Sequence, residues 1–140
     1  MAAVDDIWEH AQNARMWLQT AHDASARATS KSAGSFLLSY FTRGSSRYSA
    51  LEETFDAIGK LRLAYLDLEH AIHRAGRPPF PLRTLDLERA TPELATGHKR
   101  LSPPILKALR EALAADLGAV DNLVAEIEQL QRQARTPQSR

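Results

Sequence analysis

The chain has 140 residues, 44% hydrophobic and 25% charged, with a formal net charge of +1 and no cysteine. That balance predicts one soluble globular domain large enough for a core without staples. The absent cysteines exclude a disulfide framework, a thiolate zinc site and a cysteine nucleophile. No apolar run approaches the ~18 residues of a membrane span, and MAAVDDIWEH has neither the basic head nor the apolar stretch of a secretory leader. A cytoplasmic protein with no membrane partner is expected. Ala, Leu and Arg dominate over Val and Thr, which favours helix.

In chain order, the first helix is expected from Asp6, where Asp6 and Glu9 have capping-box spacing. Val4, Ile7, Trp8, Ala11, Leu18 and Ala21 recur at helical spacing, and the pattern fades near Ala28. TSKSAGS reads as a loop, and SFLLSYFTR is too short to be a stable helix alone. A second long helix is expected from Ser46 to Ser49 onward, with Ser49 and Glu52 again at capping-box spacing. Leu51, Ile58, Tyr65 and Ile72 repeat every seven residues, interleaved with Leu61, Leu68 and Ala75, as a packing seam requires. AGRPP ends it: Gly76 suits the position after a helix and Pro78–Pro79 forbid continuation.

Residues 76–102 form a proline-containing connection with a short helix around Leu85–Ala90 and a turn at Thr91–Pro92. The last long helix carries the strongest local signal, with Ser102 as N-cap, Pro103 at the first helical position and Leu101–Leu106 as a hydrophobic staple. Its apolar face runs from Leu106 to Leu130 and its pattern to about Ala134. The expected fold is all-α: an elongated three- to four-helix bundle with a long proline-containing connection before the last helix. Residues 1–135 make a single domain and 136–140 a frayed tail.

The charge is blocky. All 17 acids fall in four windows, Asp5–Asp23, Glu52–Glu69, Asp86–Glu93 and Glu111–Glu128, and 14 of the 18 cations lie outside them. Helix dipoles account for part of this: Asp5, Asp6 and Glu9 against Arg27, and Glu52 and Glu53 against Arg74, put acids at starts and cations at ends. Arg47, Lys107 and Arg110 break that rule, because they lie in or beside first turns where exposed amides are already partly positive. A bound anion would compensate, using the free backbone donors as well; an intramolecular carboxylate would do the same. Gly44, Ser45 and Ser46 leave the turn sterically open to a phosphate, and Tyr40 or Tyr48 has the shape to stack on a base. GSS is no phosphate-loop signature, and a plain helix–helix turn explains it too. The candidate nucleic-acid contacts are Arg43, Arg47, Lys99, Arg100, Lys107, Arg110, Lys31 and Arg27. Whether they share one end depends on whether the 76–102 connection crosses the bundle.

Other motifs point elsewhere. Asp67 and His70 stand three apart, but no Glu-x-x-His occurs, so neither a di-metal bundle nor any other metal site is expected, and no cofactor motif is present. Arg15 and His22 form an Arg-x6-His that resembles the composite site of helical ribonucleases, in which paired protomers act on an RNA phosphate. Met16 stands where those enzymes have a polar residue. Helix one also carries Ala14, Trp17, Ala21, Ala24 and Ala28 as a second stripe, and the last helix Ala108, Ala112, Ala115 and Ala119. Small residues permit close helix approach, so Ala14, Trp17, Ala21 and Ala24 are candidates for a partner interface, with internal packing the other explanation.

In size, helical build and acid-free basic segments the chain resembles the small helical subunits of CRISPR effector ribonucleoproteins. That resemblance implies a non-catalytic assembly subunit packing against sibling subunits, possibly copies of itself, along single-stranded RNA or DNA backbone. A protein–protein adaptor or self-assembling bundle without nucleic acid is the alternative, and a ribonuclease using Arg15 and His22 a third.

Overall fold

The structure, a computed structural model, describes residues 2–29, 45–95 and 101–135, and all its regular elements are helices. They are α1 (Ala2–Thr29), α2 (Ser45–Arg74), α3 (Arg83–Ala90), α4 (Pro92–Ala95) and α5 (Pro103–Arg135). Among the described residues no helix is long and apolar enough to cross a membrane. Of the expected loop TSKSAGS only Thr29 is described, closing α1; the rest of it, SFLLSYFTR and the 136–140 tail lie outside the described residues.

Alanine governs how the long helices meet. The buried residues of α1 include Ile7, Ala11, Ala14, Leu18, Ala21, Ser25 and Ala28, alternating by four and three, the spacing of a coiled-coil seam. On α2 the buried Ala50, Ala57, Ala64 and Ala71 repeat every seven residues. Where two such small-residue seams face each other, axes approach to the short end of the usual 8–10 Å range. The α2 seam foreseen from Leu51, Ile58, Leu61, Leu68 and Ile72 is buried as well. Tyr65 of that seam is only half-buried: it packs against the core, and its hydroxyl donates to the Phe80 carbonyl at 2.7 Å.

Cross-helix pairs set the topology. Arg27 meets Glu53 and Arg74 approaches Asp6, so α2 runs antiparallel to α1. Trp8 Nε1 donates to Glu128 at 3.2 Å, Arg15 pairs with Asp121 and Gln131 with Asp5, so α5 is antiparallel to α1 too. Therefore α2 and α5 are parallel, with α1 packed against both, and the segment between them must return along the bundle. It does so in steps. Arg77 pairs with Glu126 near one end, Arg83 and Thr84 reach Asp116 midway, and Ala90 lines a shallow pocket with Ala108 near the other.

Local chemistry explains the boundaries. Helix α1 begins at Ala2 rather than Asp6; Asp5 and Asp6 lie inside its first turns, where carboxylates favour a helix start without capping it. Helix α2 starts at Ser45, so Ser49 lies within it rather than at its N-cap. Its end is a Schellman turn: Gly76 has φ +70°, Gly76 N–H donates to His73 O at 3.0 Å and Arg77 N–H to Ile72 O at 3.1 Å. Helix α5 starts as its signal predicts, with the Ser102 carbonyl accepting from Leu106 N–H at 3.0 Å and Leu101 and Leu106 both buried.

Helix α3 has no cap of its own, since Leu82 at its N-cap offers no side-chain acceptor. Asp116, from the middle of α5 and only 2% exposed, supplies one: its two carboxylate oxygens accept from Arg83 N–H at 2.8 Å and Thr84 N–H at 2.7 Å. This explains an acid on the buried face of a leucine-rich helix. Glu88, 7% exposed, is matched by Arg62 Nη1 of α2 at 2.6 Å. Between them these contacts dock the returning segment onto α2 and α5.

Candidate functional site

Because α2 and α5 are parallel and α1 opposes both, Thr29, Ser45 and Pro103 all lie at one end of the molecule. Two helix starts therefore lie there together, although Pro103 and Pro104, the first two residues of α5, have no N–H to offer. The candidate cations distribute as follows. Lys107 is exposed in the opening turns of α5. Arg110, one turn on, is half-buried, and its Nε is buried without a hydrogen-bond partner. Neither has an ion-pair partner among the described residues. Arg47 belongs to the first turn of α2. Arg27 is at this end but is engaged with Glu53. Lys31, Arg43, Lys99 and Arg100 lie outside the described residues; in sequence they are joined to Thr29, Ser45 and Leu101.

Elsewhere many of the cations are matched, while Arg83 and Arg135 have no ion-pair partner among the described residues. The blocky charge of the sequence becomes complementary between helices: Arg74 meets Asp6 and Arg77 meets Glu126 at the far end. Along the flank Arg62 meets Glu88 and Arg89 meets Asp86. Lys60 takes a different partner, its ammonium 5.5 Å from the centre of the Trp17 ring.

The alanine stripe on α1 is covered by the chain's own helices. Ala14, Ala21 and Ala24 are each 0% exposed, so they present nothing to a separate partner; Trp17 is half-buried under Lys60. The spacing signalled close approach, but the approaching helices belong to the same chain. Arg15 is held by Asp121 of α5, and among the described residues the carboxylate within reach of His22 is that of Asp23, 4.0 Å from its Nδ1. His70 and His73 are exposed, and among the described residues no group of three potential metal ligands gathers.

A cleft of about 460 Å³ opens between α2 and the returning segment, walled by Tyr65, Leu66, Pro79, Pro81 and Leu85. Its two arginines, Arg62 and Arg89, already hold carboxylates of the chain, so it is no ready anion site. Burial raises the Tyr65 pKa, and the carboxylates of Glu69 and Asp86 push it further up. Sequence reasoning missed this cleft because it depends on where the 77–82 segment docks.

Comparison with protein families, with curated proteins and with solved structures finds no match for this chain.

Proposed function

We propose that the chain is a non-catalytic helical subunit whose basic end holds the backbone of single-stranded RNA within a larger ribonucleoprotein assembly, the part played by the small helical subunits of CRISPR effector complexes. In this reading the molecule is an elongated bundle in which the returning 77–95 segment takes the place of a fourth helix. One observation carries it: the topology brings the starts of α2 and α5 to the same end, where Lys107 and Arg110 have no ion-pair partner among the described residues. Unmatched cations are what a phosphodiester chain neutralises. Arg43, Arg47, Lys99, Arg100 and Lys31 add to that field, and Arg27 adds less because Glu53 shares its charge.

The test is fluorescence anisotropy of a labelled single-stranded RNA against the purified chain at several salt concentrations. Log affinity is expected to fall linearly with log salt, by about 0.7 per phosphate neutralised. Lys107→Glu with Arg110→Gln should flatten that slope by about 1.4, and Arg43→Glu with Arg47→Glu should abolish binding at physiological salt. Removing Lys107 from an opening turn should not reduce thermal stability, since a cation there opposes the helix dipole. Affinity indifferent to salt or to these substitutions refutes the proposal.

A further inference from the structure

The cleft between α2 and the returning segment has walls that are held before anything enters it. Pro79 and Pro81 fix the backbone along one side. Tyr65 ties that stretch to α2 through the Phe80 carbonyl, at 2.7 Å. Behind it, α3 is anchored by Asp116 through Thr84 N–H and by Arg62 through Glu88. A volume of about 460 Å³ falls within the range of small-molecule sites, about 300–1,000 Å³. Leu66, 49% exposed, adds apolar surface to the lining.

Charge in the cleft is unbalanced. Its lining holds three carboxylates, Glu69, Asp86 and Glu88, against two guanidiniums, Arg62 and Arg89. Arg62 is taken by Glu88 and Arg89 by Asp86. Glu69 is left over, with no ion-pair partner among the described residues. It stands four residues from Tyr65 on α2, so the two share a flank of the helix. The Tyr65 hydroxyl gives its proton to the Phe80 carbonyl, which leaves its oxygen as an acceptor. Burial first, then the Glu69 and Asp86 carboxylates, raise the pKa of that hydroxyl, and Arg89 offsets them only in part. A field that opposes a phenolate favours a cation at the same place.

An inorganic cation would leave the apolar walls unused, and an anion would meet the surplus carboxylate. We propose that the cleft binds a small organic monocation, its aromatic or apolar body seated between Leu66 and the two prolines and its ammonium between the Glu69 carboxylate and the Tyr65 oxygen. The proposal is independent of RNA binding: Glu69 lies about 36 Å along α2 from Ser45 at 1.5 Å per residue. For a ligand of about ten non-hydrogen atoms, a dissociation constant on the order of 0.1–1 mM is expected.

Titration of the isotope-labelled chain with phenethylamine at pH 7, followed by amide chemical shifts, tests it. Phenethyl alcohol and phenylacetate serve as the neutral and anionic counterparts of the same shape. Shifts should centre on residues 65–69 and 79–86, with the alcohol bound at least about fivefold more weakly than the amine and the acid more weakly still. Glu69→Gln should bring the amine down to the affinity of the alcohol and leave the alcohol unchanged. Leu66→Ala should weaken amine and alcohol alike, by about threefold. Both side chains are exposed, so the fold tolerates either change, and circular dichroism verifies it. No saturable shift up to about ten times the expected constant, or shifts centred away from the cleft, overturns the site. Phenylacetate binding as well as the amine, or an amine indifferent to Glu69→Gln, overturns the choice of a cation. A Glu69→Gln variant that loses the amine while binding RNA normally supports the cleft as a site separate from the basic end.

Discussion

Asp116 offers the sharpest test of how the returning segment is held. Replacing it with alanine removes the acceptor for two backbone donors, Arg83 N–H and Thr84 N–H, of which Thr84 N–H is buried. A buried donor left unsatisfied costs about 1–3 kcal/mol, and loss of an N-cap typically about 1 kcal/mol. Arg83 N–H regains water in part, and relief of carboxylate burial offsets some of the loss. The net expectation for Asp116→Ala is a destabilisation of about 2–4 kcal/mol, or about 10 °C in Tm for a chain of this size. Asp116→Asn keeps one acceptor oxygen and should cost about half as much. Thr84→Val serves as a control. It keeps the backbone donor and removes a buried hydroxyl that has no partner, so it should be neutral or slightly stabilising. Urea unfolding measures all three, and hydrogen exchange should show protection lost first at residues 83–90 in Asp116→Ala. A Tm change below 2 °C for alanine, or an asparagine as harmful as alanine, would refute the capping argument.

Tyr65→Phe removes the bond to the Phe80 carbonyl and should cost about 1 kcal/mol in urea unfolding at neutral pH. The Tyr65 pKa is raised on folding, by burial first and then by Glu69 and Asp86. Its contribution to stability is therefore fully present below its unfolded value of 10.0 and is lost as pH rises through the higher folded value. A stability profile from pH 8 to 11 should fall less steeply for the phenylalanine variant than for wild type, and parallel profiles would contradict this. Ala64→Leu puts three further carbons into the α2 alanine ladder, where Ala64 is 3% exposed. It should cost about 1–3 kcal/mol through overpacking, whereas Ala90→Leu on the exposed surface of α3 should change Tm little.

Some of this architecture was legible in the sequence because its causes are local. Ser102-Pro103 with Leu101 and Leu106 starts a helix through contacts within two turns, and Gly76 before Pro78 stops one through backbone conformation alone; both stand where expected. The Leu51–Ile72 periodicity marked the buried face of α2 because a helix repeats every 3.6 residues whatever covers it. The capping boxes were read less well. Asp6 and Ser49 have capping spacing, but helices α1 and α2 begin ahead of them, at Ala2 and Ser45.

What one chain position can do depends on residues that periodicity does not reach. The α1 alanine stripe announced close packing, yet only the fold shows that α2 and α5 occupy it and leave no face of Ala14, Ala21 or Ala24 for a partner. Asp116 resembles any stray acid on a leucine helix until Arg83 and Thr84, more than 30 residues earlier, are placed against it. The basic segments were visible as gaps between acids, but Arg74 and Arg77 were matched by distant carboxylates while Lys107 and Arg110 found none among the described residues. The amino-acid sequence by itself determined the all-helical character, the buried faces and the two sharpest helix boundaries, since these follow from short-range backbone preference and hydrophobic period. Tertiary structure decided the direction of α5, and with it which charges meet, because the parallel α2–α5 arrangement rests on pairings between residues dozens of positions apart.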